Sequence, residues 1–417
     1  MKTSRAVLFF TSIILLLTIL VNTTSCAFGV HAENLMENIT PNQVTPLDDL
    51  SAGNAAFTDF AIRLLQNCQN GSENTLISPL SVLCSLAMTA NGASSQTLEQ
   101  MESVFGMSAN ELSHYLYSYQ NSLPKEKHKM SVANSIWFTD DTRFTVEQKF
   151  LQVNADYFDA YIYKTALNDR ACKLINEWVN ENTDSMIPKI IDTMPNNAVM
   201  CLINALAFES TWASVYKDNQ VRESTFTTED GVKQTADFMY STENKYLFDD
   251  NATGFVKYFT NKEYAFVALL PNEGVSVSEY LATLDGESIA SLLEHPNQTI
   301  VETSIPEFET SYSSDISEVL ADMGMPLAFD AQNADFSKLG SSSQANIFIS
   351  EVLHKTYITV GPMGVRAGAA TAVVMTEGLE PQSKKQVYLD RPFVYMLIDC
   401  QNNNPFFIGT MMDVEGR

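Results

Sequence analysis

The apolar positions of this chain follow two periods, and each predicts a different half of the molecule. From Asn54, residues Phe57, Phe60, Ala61, Leu64 and Leu65 recur at helical spacing and predict an amphipathic helix. Beyond Asn74-Thr-Leu-Ile, Ser78 can cap a helix and Pro79 fits its first turn, which predicts a buried helix through 82–91. Leu174, Ile175, Trp178 and Val179 repeat the helical spacing, and Ile187-Pro188-Lys189 marks where that helix has ended. Runs of β-branched and aromatic residues then predict strands at 200–208, 264–270, 301–308, 388–398 and 406–411. A helix-rich first half and a strand-rich second half read as an α+β fold, its large sheets partly covered by helices.

One stretch, 360–393, fits neither period cleanly. It holds Gly364-Val365-Arg366-Ala367-Gly368-Ala369-Ala370-Thr371-Ala372-Val373-Val374, then polar residues 376–386, then Arg391-Pro392-Phe393. Alanine favours helices, so the run reads as a buried helix or a plain loop; two glycines and Thr-Ala-Val-Val weaken the helix. The alternative is a strand held in reserve, small enough to enter a packed sheet, followed by a solvated segment open to cutting. The stretch by itself leaves both readings open.

The N-terminus adds a destination. Lys2 and Arg5 precede an apolar run at 6–21 and small residues ending in Val30-His31-Ala32, the order of a secretory signal cleaved after Ala32. A rival reading is lipid attachment at Cys26, but Thr23-Thr24-Ser25 lack the leucine such a site usually carries. No later segment reaches the roughly twenty uninterrupted apolar residues of a membrane span. The expectation is therefore a secreted, extracellular protein with a signal peptide at 1–32. Residues 33–50 are polar, contain Pro41 and Pro46, and read as a flexible leader.

With 50 acidic and 25 basic residues, the net charge is −25 and the pI near 4.5. That balance disfavours nucleic acid and anionic membranes, whose binding relies on clustered Lys and Arg. The one basic knot, Lys125, Lys127, His128 and Lys129, is interrupted by Glu126 and reads as a solvated turn. Cys68, Cys84, Cys172, Cys201 and Cys400 are odd in number and widely spaced, which fits buried free thiols better than disulfides or a zinc site. No Gly/Ser/Pro linker, charge block or repeat divides the roughly 385 residues after the signal, so one large domain and two or three smaller ones both fit the length.

Catalytic motifs are missing. The sequence holds no Gly-x-Ser-x-Gly elbow, no His-Glu-x-x-His helix, no phosphate-binding loop and no dinucleotide fingerprint. After the signal come only His114, His128, His295 and His354, scattered along the chain. A triad assembled in space from a Ser, His354 and an Asp is the one catalytic arrangement left open.

Several separated segments agree with one family. They are Asn74-Thr-Leu-Ile-Ser-Pro-Leu-Ser81 with Ala90-Asn-Gly-Ala93, Ser131-Val-Ala-Asn-Ser-Ile-Trp137-Phe138, Asn204-Ala-Leu-Ala-Phe208 with Trp212, Leu269-Leu-Pro271, Ile305-Pro-Glu-Phe308, Leu320 with Met325, His354-Lys355 and Arg391-Pro392-Phe393. Together, and in this order, they resemble serpins from Asn54 to the C-terminus.

The resemblance implies a single domain at 51–417 with three β-sheets, eight or nine helices and an exposed reactive-centre loop at about 362–388. It implies a monomer without cofactor or metal whose partner is a target serine protease. The protease cuts the loop, becomes covalently attached, and the freed loop inserts into the main sheet. Such a protein is an inhibitor consumed in the act, and no residue of it is catalytic.

Residue by residue, Gly364, Val365, Arg366, Ala367, Gly368, Ala369, Ala370 and Thr371 match the family's loop hinge. Ser78, Ser81, Asn204 and His354 match the polar latch beneath the main sheet, and Trp212 its top. With Gly364 as anchor, the reactive bond falls at Gly378-Leu379, preceded by Glu377, Thr376 and apolar Met375, Val374 and Val373. A small primary residue with no Arg or Lys nearby suits elastase-like or subtilisin-like proteases; a shift of one residue to Glu377 would suit an acid-cleaving enzyme. The hinge departs from the family pattern, because Pro362-Met363 precede the glycine and Val365-Arg366 follow it. Pro362 offers no amide, which predicts a weakened first step of insertion. That departure keeps alive a non-inhibitory serpin acting as carrier, storage protein or chaperone.

Overall fold

The computed structural model describes residues 32–415 apart from 125–127, 141–143, 196–197, 344–345 and 366–384. Among these residues, nine α-helices surround three sheets of seven, nine and two strands. The three predicted helices form at Ser51–Cys68, Pro79–Ala90 and Asp169–Asn182. Ser78 caps the second as expected: its backbone is extended and its Oγ accepts the Ser81 amide at 3.2 Å.

The main sheet runs, in spatial order, Glu33–Asn34, Tyr161–Thr165, Lys129–Thr139, Met200–Thr211, Gly364–Val365, Glu351–Gly361 and Phe308–Asp315. Its inner face shares one core with the nine-stranded sheet and with the first two helices. A second core, built from Trp137, Trp178, Ile175, Val179, Ala205 and Ala207, closes the outer face under the Asp169–Asn182 helix. The Met200–Thr211 strand is thus buried on both faces, which is why 200–208 is apolar throughout except at Asn204.

Two predicted strands are each split in two. The 301–308 run ends one strand at Pro306 and starts another at Phe308, with the Glu307 amide donating to the Asp237 carbonyl at the corner between sheets. The 388–398 run breaks after Tyr388, because Pro392 cannot donate to a ladder and Arg391 leaves the strand to reach the Pro271 carbonyl at 2.8 Å.

The expected flexible leader, 33–50, is instead a strap. Glu33 and Asn34 pair with Lys164 and Tyr163 at the sheet edge. Asn42 bonds the Asp156 carboxylate, the Val44 and Thr45 carbonyls accept from Tyr117 and His114, and the Leu47 amide reaches Ser118. Polarity and proline suggested mobility; the backbone groups found partners across three elements instead. Of the basic knot, Lys125 and Lys127 lie outside the described residues and Lys129 is exposed, whereas His128 is buried, its two ring nitrogens lying 2.8 Å from Ser210 Oγ and 2.9 Å from Glu263.

Candidate functional site at the head of the main sheet

The two central strands, Met200–Thr211 and Glu351–Gly361, are parallel and pair directly from Glu351 with Cys201 to Thr356 with Leu206. Above that level a third segment stands between them. The chain leaves Gly361, turns through Pro362 and Met363, and comes back as Gly364 and Val365, antiparallel to both neighbours. Val365 is fully buried there.

The turn is held from one side by three successive carbonyls. Gly361 O accepts from the Trp212 indole at 2.9 Å, Pro362 O from the Tyr216 amide at 3.0 Å and Met363 O from the Trp212 amide at 2.9 Å. Pro362 sits in the turn, where no ladder bond needs its missing amide. Gly364 carries φ +149, and a Cβ there would lie 2.1 Å from the Ser210 carbonyl oxygen. Only glycine fits.

Lower down, around the start of the Pro79–Ala90 helix, lie the four residues that the resemblance matched to a latch. The Ser78 amide donates to His354 Nε2 at 3.1 Å, which pins the helix to the Glu351–Gly361 strand. Ser81 Oγ donates to Asn134 Oδ1 at 2.7 Å and the Asn134 amide returns a bond to the Ser81 carbonyl at 3.1 Å, which pins it to Lys129–Thr139. Asn204 lies between them, in register with Asn134 on one side and His354 on the other. Asn134 is the member that the sequence reading missed, although it lies inside the Ser131 to Phe138 segment; nothing local distinguishes it from a strand-surface asparagine.

Two buried atoms in this row have no hydrogen-bond partner, Asn204 Oδ1 and His354 Nδ1. Because Nε2 accepts an amide hydrogen, the neutral ring carries its proton on Nδ1. Burial holds the His354 pKa down at about 3. With Nε2 taken up by the Ser78 amide and no carboxylate bonded at Nδ1, His354 is not arranged as the base of a triad among the described residues. Among the described residues the cysteines are free and buried apart from the half-buried Cys400, and burial pushes the Cys68 and Cys84 thiols up to about 12, which keeps them protonated.

A family model, Serpin (serine protease inhibitor), matches residues 55–414. The chain belongs to the serpin family. Among solved structures, a thermophilic serpin, tengpin, in its native state is 43% identical with a TM-score of 0.88, covering 92% of this chain and 100% of that one. In its latent state the same protein gives 42% identity and a TM-score of 0.77, with coverage of 89% and 100%. The leukocyte elastase inhibitor of Xenopus laevis is 26% identical and covers 85% of this chain and 97% of its own. Serpins are generally protease inhibitors rather than enzymes, and the three sheets and nine helices among the described residues are the serpin fold.

Of the residues that the resemblance matched to a hinge, Gly364 and Val365 pair with both central strands, while Arg366, Ala367, Gly368, Ala369, Ala370 and Thr371 lie outside the described residues, as do Gly378 and Leu379. No helix among the described residues is long and apolar enough to cross a membrane. The proposed cleavage after Ala32 and Cys26 concern residues outside that range or at its edge.

Proposed function

We propose that this serpin is a secreted, suicide-type inhibitor of serine proteases that works by loop insertion. The observation that carries the reading is the entry of Gly364 and Val365 between two parallel strands, antiparallel to both. Extended residue by residue, the pairing would set Ala367 between Phe208 and Ile358, Ala369 between Leu206 and Thr356, and Thr371 between Asn204 and His354. The two ladders agree, because Asn204 and His354 already face each other. Thr371 would thus bring a hydroxyl to the row in which Asn204 Oδ1 lacks a donor and His354 Nδ1–H lacks an acceptor, and one hydroxyl can serve both.

Strand alternation supports the same reading. Val365, Ala367, Ala369, Thr371 and Val373 would face the core, and all are small or β-branched and uncharged. Arg366 would fall on the opposite face, level with Glu209 and Thr359, where its charge has a carboxylate nearby.

The chemistry belongs to the protease. Its serine oxygen adds to the Gly378 carbonyl carbon, the amine of Leu379 leaves, and an ester links Gly378 to the enzyme. Insertion then carries the acyl-enzyme away before water can cleave the ester. Gly378 behind apolar Val373, Val374 and Met375 favours elastase-like or subtilisin-like targets.

Mixing the purified protein with elastase-like and subtilisin-like proteases is expected to give a complex stable in denaturing electrophoresis. Clean cleavage without complex would instead indicate a non-inhibitory serpin. Mass spectrometry of the released C-terminal peptide reads the reactive bond directly, and a cut outside 376–380 overturns its placement.

A further inference from the structure

Beneath the cradle that holds the hinge turn lies a charged pair with no role in the reading above. Lys257, on the Ala252–Tyr258 strand, is 2% exposed. Its ammonium donates to Glu243 at 2.8 Å and lies 3.5 Å from Ser241 Oγ. The same ammonium stands 4.4 Å from the centre of the Tyr216 ring and 5.4 Å from that of Trp212. Ser241 completes the group, donating to Glu243 at 2.7 Å and lying 3.3 Å from the Tyr216 hydroxyl and 3.0 Å from that of Thr303.

A buried cation needs a reason, since desolvation of an ion pair can cancel its attraction. Burial opposes the charge on Lys257, yet the adjoining Tyr216 and Glu243 overcome it and hold its pKa above the usual lysine value. The ammonium therefore stays charged and faces two aromatic rings. Those rings belong to the two residues whose amide and indole groups hold the carbonyls of Gly361, Pro362 and Met363. Trp212 is closed on another side by Phe259, stacked at 4.5 Å. The ion pair thus fastens Trp212 and Tyr216 to the nine-stranded sheet, and through them it fastens the turn that stands at the mouth of the gap.

We propose that Lys257, paired with Glu243, is a positioning residue that holds the Trp212–Tyr216 cradle and so sets how readily the chain beyond Val365 enters the main sheet. The control of entry rests on the reading of the gap as a strand acceptor; the control of the cradle does not. Removing the charge while keeping the volume frees both rings to move, and the three cradle bonds open more often.

The test uses the full chain with Lys257→Met, Glu243→Gln and Lys257→Arg, and Leu293→Ala as a destabilising control remote from the cradle. Hydrogen exchange at the Trp212 and Tyr216 amides is expected to quicken about tenfold in the first two variants, as it would for a loss of about 1.4 kcal/mol. It should stay within about twofold of the parent in Lys257→Arg and in Leu293→Ala. Uptake of a synthetic peptide of residues 365–374, followed on native gels, should quicken in parallel. Unchanged exchange in Lys257→Met, or an equal change in Leu293→Ala, overturns the proposal. Faster exchange with unchanged peptide uptake overturns the control of entry. Faster exchange in the variants, with no peptide uptake by parent or variants, upholds the cradle and sinks the insertion reading of the function instead.

Discussion

At the scale of single residues, His354 shows how position rewrites chemistry. A surface histidine takes a proton near neutral pH, but this ring is buried, accepts the Ser78 amide and is held at about 3. The unfolded chain binds a proton near pH 6.5 that the folded protein refuses, so stability from this site is whole above pH 6.5 and falls as pH drops toward 3. The loss grows by about 1.4 kcal/mol per pH unit within that window. Three residues away, Glu351 works in the opposite sense: burial and Asp315 raise it to about 7, so the folded state binds its proton first and gains stability as pH falls from 7 toward 4.5. Urea melts between pH 7 and 4 separate the two. His354→Gln should start less stable than the parent and lose less on acidification, and a parallel decline would discard the buried-ring explanation. Ser78, Ser81, Asn204, His354 and Trp212 were visible in the sequence through their motifs. Asn134, Tyr216 and Lys257 were not, because each matters only through a partner far away in the chain.

At the scale of elements, local pattern served well where an element buries one face or both. Ser51–Cys68 and Pro79–Ala90 form within a few residues of expectation, the second with the cap that Ser78-Pro79 predicts. Pattern failed where a chain segment has no core of its own. The strap at 33–50 shows neither period in its sequence, yet Leu35, Met36, Ile39 and Leu50 pack against the core, and the segment covers the edge of Tyr161–Thr165 and bonds the helices Ala109–Ser122 and Gln148–Phe158. An uncovered edge strand is a template for pairing with another chain. Deleting 33–49 is therefore expected to lower the melting temperature by a few degrees and to promote self-association, read by light scattering on warming. A truncated protein as stable and as monodisperse as the parent would show that the strap is decoration. Cleavage after Ala32, as the signal predicts, would leave Glu33 and Asn34 free to make these bonds.

At the scale of the whole molecule, the main sheet is incomplete. Two parallel central strands share six rungs, then part around two residues of a chain that continues into 366–384. Cutting within 366–384 should let the strand finish its entry, adding backbone bonds on both sides and burying Val373 and three smaller side chains. At about 2.1 cal/mol/K of unfolding entropy per residue, a chain of this length shifts by roughly 1.2 °C per kcal/mol, so a gain of about 8 kcal/mol would appear as a rise in melting temperature of roughly 10 °C. Calorimetry before and after limited proteolysis measures it, and no rise would mean that the gap does not accept the loop. The sequence by itself determined the types of the main elements, the family, the absence of catalytic motifs and the small side chains of the hinge. All of these are written in spacing and order along the chain, which folding does not alter. Only the tertiary structure decided that Pro362 lies in a turn, that 33–50 is tied down, that Asn134 bonds Ser81 and that Lys257 lies against Trp212 and Tyr216. Those facts depend on which residues meet across hundreds of positions, and packing of two sheets around shared cores sets those meetings.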